Sequence, residues 1–229
     1  MTESLSARLP RLDARLACIA SEVPACNLAA DIGTDHGKLP CWLLASGRVK
    51  NMIVSDISII SRDKARDLFI EYEVLDRVIL SGANGLFALQ GDPEAVVIAG
   101  MGGGLISEIL LQDVELNSAK LILSAQTELP QLRDTVLCKG YRISKELLVF
   151  SGGRYYRIIT AIPGSQNLSE FQRELGFNLQ GTPGAKLTDY FHWQMEVAQT
   201  WQGEKGRKYR TMLQEVLDEH QSNHCTNDS

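Results

Sequence analysis

The sequence of 229 residues has no long apolar run, and none of its apolar stretches approaches the roughly 20 residues of a membrane span. The N-terminal residues 1–15 also lack the apolar segment of a secretory signal peptide. The five cysteines are scattered, and none forms a C-x-x-C pair, which argues against a disulfide framework or a cysteine-based metal site. We therefore expect a cytoplasmic protein that binds neither a metal nor a membrane, and we expect a monomer.

Two nucleotide-binding signatures are missing as well. The chain has no G-x-x-x-x-G-K-[ST] motif, which argues against a phosphate-binding loop of that kind. The glycine-rich stretch DIGTDHG at residues 31–37 lacks the full G-x-G-x-x-G pattern that holds a pyrophosphate against a helix N-terminus. A dinucleotide cofactor is therefore disfavoured.

Excess positive charge is also absent, since the formal net charge is −5. This charge weakly opposes broad nucleic-acid binding, although a local basic patch can act within an acidic protein. Basic residues recur near the N-terminus and again in the C-terminal part. They are candidate phosphate contacts, and the alternative is that they form solvated helix faces: Arg8, Arg11, Arg15, Lys38, Lys205, Arg207, Lys208 and Arg210.

Short apolar runs alternate with helical patterns through the first two thirds of the chain, which predicts βαβ units and a parallel sheet. The predicted strands are residues 28–32, 52–54, 78–80, 95–99 and 121–123. The predicted helices between them are residues 39–46, 59–72, 105–111 and 129–139. The fold class is therefore α/β, with a Rossmann-like sheet.

The two ends of this unit have different patterns. Leucines spaced three and four apart predict an amphipathic helix over residues 4–21, with Pro10 as a kink or boundary within it. Residues 141–150 and 155–162 resemble two strands joined by a Gly-Gly turn. By architectural analogy, an antiparallel hairpin that ends a parallel sheet is the order of class I methyltransferases, and other α/β folds can end in the same way.

The C-terminal part predicts a separate helical extension. Apolar residues at helical spacing occur over residues 187–219, and residues 220–229 are polar enough to suggest a disordered tail. We therefore expect a first domain at residues 1–162 and a helical or coiled-coil extension at residues 163–229.

Three of the predicted strands end in turns with unusual chemistry. DIGTDHG follows the first strand, Asp56 ends the second, and IAGMGGG at residues 98–104 ends the fourth. The carboxyl ends of parallel strands meet at one edge of a sheet, so these turns should converge. An acid after the second strand can accept both hydroxyls of a ribose, and glycines after the first let a ligand approach the backbone.

Asp31 points to which adenosine-containing cofactor these turns would hold. A carboxylate in the first turn repels phosphate and attracts an ammonium group, so Asp31, Gly33 and Asp56 fit S-adenosylmethionine better than a dinucleotide. A nucleotide-dependent oxidoreductase, and turns without any ligand, remain alternatives at this point.

The chain resembles the bacterial tRNA methyltransferases that modify N1 of the adenine at position 22. The resemblance covers most of residues 4–161 and rests on these stretches: LSARLPRLDA, DIGTDHGKLP, SGANGL, IAGMGGGLI and the series LILS, LR, GYRI and YYRIITA. It implies a class I fold with a C-terminal helical domain, S-adenosylmethionine as methyl donor and tRNA as substrate. Two stretches differ from the usual family sequence: GKLP replaces AYLP, and LSAQTEL stands where L-Q-P is usual.

The positions that match the family imply cofactor contacts at Asp31, Gly33, His36, Asp56, Asn84 and Gly100. We add four neighbours in the same turns, Ile57, Gly85, Met101 and Gly102. Met101 lies between glycines and either contacts adenine or packs in the core.

The predicted chemistry needs little from the enzyme beyond orientation. N1 of adenine has a lone pair, so the enzyme must align it with the methyl group and accept the proton that the amino group then sheds. Asp35 is the candidate acceptor, with a helix cap as its alternative role. His36 is a second candidate catalytic residue, and its alternative is a structural hydrogen bond.

The missing [DNS]-P-P-[YFW] turn after the fourth strand favours a ring nitrogen over an exocyclic amine as the methyl acceptor. Two other functions stay open at this point. One is an RNA-binding protein that keeps the fold without the activity, and the other is methylation of a different substrate.

Overall fold

The computed structural model describes residues 9–176 and 187–225. Seven strands form one sheet in the order β3-β2-β1-β4-β5-β7-β6. The first five strands are parallel, whereas β7 runs antiparallel to both of its neighbours. The strands are β1 (Cys26–Ile32), β2 (Val49–Ser55), β3 (Val78–Ser81), β4 (Ala95–Met101), β5 (Lys120–Ala125), β6 (Tyr141–Ser151) and β7 (Arg154–Pro163). The predicted parallel sheet with a terminal hairpin is therefore confirmed.

Eight helices of the described residues accompany this sheet. They are α1 (Ala14–Glu22), α2 (Lys38–Ala45), α3 (Ile59–Glu71), α4 (Gly103–Leu110), α5 (Leu129–Cys138), α6 (Glu170–Leu175), α7 (Leu187–Gln199) and α8 (Gly203–Cys225). None of these described helices is both long and apolar enough to cross a membrane.

The central strand β4 shows how the sheet divides the core. Its successive side chains point to opposite faces, as the twofold period of a strand requires. Val96 and Ile98 enter a core that includes side chains of α4 and α5. Ala95 and Val97 enter a second core with α1, α2 and α3. All four side chains are fully buried, which explains why the strand is a continuous apolar run rather than an alternating one.

The N-terminal helix is shorter than predicted. Residues 9–13 are not helical, and α1 begins only at Ala14. Asp13 is the N-cap, and its carboxylate accepts a hydrogen bond from the backbone N–H of Leu16 at 2.8 Å. A cap at this position ends the helix in the N-terminal direction, so the predicted helix over residues 4–21 is wrong for residues 9–13. Its residues 1–8 lie outside the described residues.

The C-terminal helices pack on the hairpin side of the sheet. Leu148 of β6 shares an apolar cluster with Tyr190 of α7 and Leu213 of α8. The helix is interrupted between α7 and α8, and α8 continues to Cys225. Residues 226–229 lie outside the described residues, and the predicted disorder of the tail over residues 220–229 stays a prediction. The division into domains at residue 163 stays a prediction.

A buried charge cluster joins α6 to the sheet. Arg133 of α5, Glu146 of β6 and Arg157 of β7 are all buried, and both arginines donate to the Glu146 carboxylate, at 2.6 and 2.9 Å. Further donors reach the end of α6, because Arg133 binds the carbonyl of Arg173 at 2.6 Å and Arg157 binds that of Leu175. Paired charges of this kind tolerate burial only while every partner is present.

Candidate active site

The loop after β1 is held against the end of β2. The carbonyl of Ser55 accepts hydrogen bonds from the backbone N–H groups of Gly33 and Thr34, at 2.8 and 2.9 Å. The Asp56 carboxylate accepts another from the N–H of Asp35 at 3.0 Å. Two turns that are far apart in sequence therefore meet at one edge of the sheet, as predicted for parallel strands.

Asp31 is the buried acid of this edge, with 4% of its surface exposed. Its carboxylate accepts a hydrogen bond from the hydroxyl of Thr34 at 2.7 Å. Burial raises the pKa of Asp31 to about 6; the Thr34 hydrogen bond and the charge of Arg15 oppose this rise, whereas the charge of Asp56 adds to it. A buried carboxylate of this kind gains strongly from a nearby cation.

A cleft of about 830 Å³ opens beside Asp31. The segment that contains the start of α1 forms one wall, and the turns after β1 and β4 form the other. A volume of this order accommodates a cofactor-sized ligand. The predicted site residues that line it are Arg11, Arg15, Asp31, Gly33, Asp35, His36, Lys38, Gly100 and Met101.

Two glycines of the cleft wall have left-handed backbones and closely approached Cβ positions. Gly33 has a φ of +76°, and a Cβ built there would lie 1.9 Å from Cε of Met101. Gly100 has a φ of +82°, and its Cβ would lie 3.4 Å from a guanidinium nitrogen of Arg15. Met101 also packs against the apolar core, which is one of its two expected roles, and its contact with adenine stays a prediction. The two glycines and the buried acid together fit the amino-acid end of S-adenosylmethionine.

The predicted residues after β2 lie outside the cleft lining. Asp56 is half-buried, and its second carboxylate oxygen accepts from the N–H of Ser58 at 2.9 Å. Ile57 is 74% exposed. Arg62 of α3 donates to the carbonyls of Asp56 and Ile57, at 2.6 and 3.1 Å, and so fixes this turn. Nothing in the sequence marked Arg62, because its role depends on where α3 folds back.

Asn84 and Gly85 also stand apart from the cleft, after β3. Asn84 is exposed and precedes a short 3-10 turn at Gly85–Ala88. Gly85 is buried with a φ of +60°, and its missing side chain leaves room for Gln112, whose carbonyl oxygen accepts from the N–H of Leu86 at 2.7 Å. Their contacts with a cofactor stay predictions.

Gly102 faces the turn after β5 rather than the cleft. A Cβ there would lie 3.0 Å from the hydroxyl of Thr127. In the same turn, the Glu128 carboxylate accepts a hydrogen bond from the N–H of Gly104 at 2.8 Å. Glu128 thus supplies a negative charge at the N-terminus of α4, where the helix dipole stabilises it.

Asp35 and His36 stand at the rim of the cleft. The N-cap of α2 is Gly37, so Asp35 does not have the helix-cap role considered as its alternative. The Asp35 side chain is 74% exposed and lies 3.3 Å from Nε2 of His36. The same His36 nitrogen lies 3.3 Å from Nζ of Lys64. This nitrogen can accept from Lys64 when the ring is neutral and donate to Asp35 when it is protonated.

The basic residues near the N-terminus divide between the cleft and the undescribed part of the chain. Arg11 and Lys38 are exposed and line the cleft. Arg15 is half-buried inside it, with its guanidinium 5.1 Å from the centre of the Tyr156 ring. Arg8 lies outside the described residues.

The C-terminal basic residues are not equivalent. Lys205 and Arg207 are exposed on α8, whereas Lys208 forms an ion pair with Glu170. Arg210 donates to the carbonyls of Ala198 and Trp201, at 2.7 and 3.1 Å. Its guanidinium therefore caps the C-terminal end of α7, a structural role that the basic pattern alone did not reveal.

Comparison with known proteins identifies the family. Residues 12–159 match the model of a family described as a methyltransferase domain. The chain belongs to this methyltransferase family. Membership confirms the predicted class I fold, the methyltransferase activity and the methyl donor S-adenosylmethionine.

Individual relatives of this methyltransferase have narrower descriptions. The chain is 26% identical over 160 residues to the tRNA (adenine(22)-N(1))-methyltransferase of Bacillus subtilis. The aligned region covers 69% of this chain and 67% of that protein. It is 31% identical over 167 residues to a putative tRNA methyltransferase of Mycoplasma pneumoniae, covering 71% of this chain and 78% of that protein. The predicted resemblance to the tRNA adenine-22 enzymes is thus confirmed.

A solved structure extends the similarity beyond the sheet. It is a putative tRNA (m1A22) methyltransferase of Streptococcus pneumoniae in complex with S-adenosyl-L-methionine. It superposes with a TM-score of 0.79 and 25% identity, over 89% of this chain and 98% of that one. The similarity therefore includes part of the C-terminal helices.

Proposed function

We propose that this protein transfers a methyl group from S-adenosylmethionine to N1 of adenine 22 in tRNA, and that it does so in the cytoplasm. The hydrogen bond from the N–H of Asp35 to Asp56 carries the proposal, because it joins the two acidic turns at one edge of the sheet. The relatives described above support tRNA as the substrate class.

The cofactor-binding residues divide by chemistry. Asp31 would pair with the ammonium group, and Asp56 would accept hydrogen bonds from the ribose hydroxyls. Gly33 and Gly100 would give the turns their left-handed backbone, and Met101 and Arg15 lie beside them in the same cleft. When bound, the cofactor supplies an electrophilic methyl group on a positively charged sulfur.

The protein's own contribution to the reaction is orientation and proton acceptance. Adenine N1 attacks with its ring lone pair and acquires a positive charge, which makes the amino group acidic. Asp35 accepts the amino proton, since its carboxylate is exposed at the cleft rim and no helix cap engages it. His36 lies beside Asp35 and orients that carboxylate.

Basic residues at the cleft rim contact the RNA backbone. Arg11 and Lys38 are exposed and border the opening, where phosphates of the folded RNA would pass. Lys205 and Arg207 form a second exposed pair on α8. Arg8 belongs to the same predicted group of phosphate contacts.

Methyl transfer to defined transcripts tests the proposal. The purified protein is incubated with labelled S-adenosylmethionine and either a tRNA transcript with adenine 22 or a matched transcript with guanine there. We expect label only in the first, and mass spectrometry of its nucleosides should identify 1-methyladenosine. Equal labelling of both transcripts would contradict the assigned position.

The turn after β5 favours a second candidate, methylation of a different base. Glu128 places a carboxylate beside Gly104, and this turn departs from the usual family sequence. Because a carboxylate accepts hydrogen bonds from amino groups, a changed turn can change which base is accepted. The nucleoside analysis distinguishes this outcome from a protein that binds tRNA without methylating it.

A further inference from the structure

Arg15 lies in the cleft without a hydrogen-bond acceptor among the described residues. Its guanidinium lies over the Tyr156 ring, 5.1 Å from the ring centre, and this contact uses none of its N–H donors in a hydrogen bond. Arg15 as a whole is half-buried. A partly desolvated and unpaired guanidinium is costly unless a ligand completes it.

Arg15 and Asp31 form two separated charges on one cleft. Asp31 is buried, and the positive charge of Arg15 stabilises its ionised form. No ion pair within 4.0 Å joins them in the described part of the chain, so neither charge neutralises the other directly. Gly100 lies next to Arg15, and a Cβ there would be 3.4 Å from a guanidinium nitrogen.

We propose that Arg15 binds the carboxylate of the methionine part of S-adenosylmethionine, while Asp31 binds its ammonium group. This assignment rests on the proposed function and reassigns Arg15 from the predicted phosphate contacts. A free α-amino acid carries one negative and one positive group a few bonds apart, which a separated cation and anion can each match. The guanidinium fork suits a carboxylate, because two parallel N–H groups reach its two oxygens.

An RNA phosphate fits this place less well. It would have to enter the cleft and approach the Asp31 carboxylate, which repels it. Arg11 is exposed at the rim, where a phosphate does not have to enter the cleft beside Asp31. The burial of Arg15 and its stacking on Tyr156 therefore favour a small zwitterionic ligand.

Calorimetry with three ligands tests the assignment on the full chain. S-adenosylhomocysteine carries both charged groups, decarboxylated S-adenosylmethionine lacks the carboxylate, and 5′-methylthioadenosine lacks the whole amino acid. For Arg15→Met we expect S-adenosylhomocysteine to bind about 10- to 100-fold more weakly, as befits lost charge-assisted hydrogen bonds. At about pH 8, well above the pKa of about 6 of Asp31, the affinities of the two ligands without a carboxylate should stay within about twofold of wild type. Arg66→Met, an exposed site on α3, is the matched control and should change none of them.

Other outcomes would overturn the assignment. Unchanged S-adenosylhomocysteine binding in Arg15→Met would do so, as would equal weakening of all three ligands, which indicates a structural role. A loss confined to tRNA affinity would make Arg15 an RNA contact. Arg15→Lys serves if Arg15→Met does not fold, since it keeps the charge but loses the fork and should show the same selective loss in smaller degree. If the wild-type protein bound no S-adenosylhomocysteine at all, the proposed function itself would fail.

Discussion

The backbone N–H of Asp35 donates to the carboxylate of Asp56 at 3.0 Å, and this bond spans two adjacent strand ends. Asp35 has a φ of +55°, a conformation that aspartate and asparagine adopt more readily than most residues. Asp56 therefore has two tasks, because it holds the first loop in shape and would also bind the ribose. A change at Asp56 affects both, whereas a change at Asp35 can separate chemistry from loop shape.

Asp35→Asn should lower kcat without removing the cofactor site. Asparagine tolerates the same φ and keeps the backbone N–H that binds Asp56, but its amide cannot accept the proton. We expect kcat to fall by about 100-fold, a usual range for loss of a general base. Single-turnover methylation measures this fall, and calorimetry should find S-adenosylhomocysteine affinity within about twofold. Asp67→Asn, at an exposed site on α3, is the control. An unchanged kcat in Asp35→Asn would exclude Asp35 as the proton acceptor.

The affinity for S-adenosylhomocysteine should rise with pH between about pH 5 and pH 7. Burial raises the pKa of Asp31 to about 6, so the carboxylate is mostly protonated at the lower pH and cannot pair with an ammonium group. The change should be about tenfold, and Asp31→Asn should bind weakly at both pH values. Calorimetry in buffers of different ionisation enthalpy also measures the coupled protons. A flat profile in the wild type would contradict the role of Asp31.

The stability of the free protein should change in the opposite direction. Because the pKa of Asp31 is raised above its ordinary 3.8, the folded chain binds more protons than the unfolded chain between about pH 4 and pH 6. Its contribution to the free energy of unfolding therefore falls as pH rises through this window, by at most about 3 kcal/mol. Urea unfolding of the wild type and of Asp31→Asn measures the difference, which should vanish below about pH 4. Equal pH profiles for the two proteins would argue against a raised pKa.

Gly33→Ala should impair the cofactor site more than the fold. The left-handed φ costs an alanine about 1 to 2 kcal/mol, and Met101 must move away from the new methyl group. The displaced side chain and the methyl group then occupy the cleft, so we expect S-adenosylhomocysteine binding to fall by at least about tenfold, or 1.4 kcal/mol. Gly47→Ala is a matched control, since Gly47 has a φ of +72° and nothing within 4 Å of its Cβ position. It should lose similar stability and keep its affinity.

Glu146→Gln should destabilise the whole protein. The substitution leaves Arg133 and Arg157 buried without a counter-charge, a loss that costs about 3 to 5 kcal/mol in comparable buried clusters. Thermal and urea unfolding measure it, with the exposed Glu108→Gln as control. A loss below about 1 kcal/mol would mean that the two arginines find other partners.

Local patterns were sufficient for the strands and for the convergence of their acidic turns. The fully apolar run at Ala95–Met101 and the acid at Asp56 carry their signals within a few residues, and parallel topology does the rest. The same local patterns could not distinguish Arg15 and Arg210 from the other predicted phosphate contacts. Arg15 meets Tyr156 only because α1 folds against β7, and Arg210 meets Ala198 only because α8 turns back along α7. Both contacts join elements through tertiary packing, which the local spacing of residues does not predict.

The cluster around Glu146 also limits how the chain can be shortened for expression. Arg133 and Arg157 also donate hydrogen bonds to the carbonyls of Arg173 and Leu175. A fragment that stops where the hairpin ends would leave those guanidinium donors without acceptors in the protein interior. A working catalytic fragment must therefore extend at least through Leu175. A fusion partner placed before that residue would replace α6, which supplies the carbonyl acceptors for the two arginines.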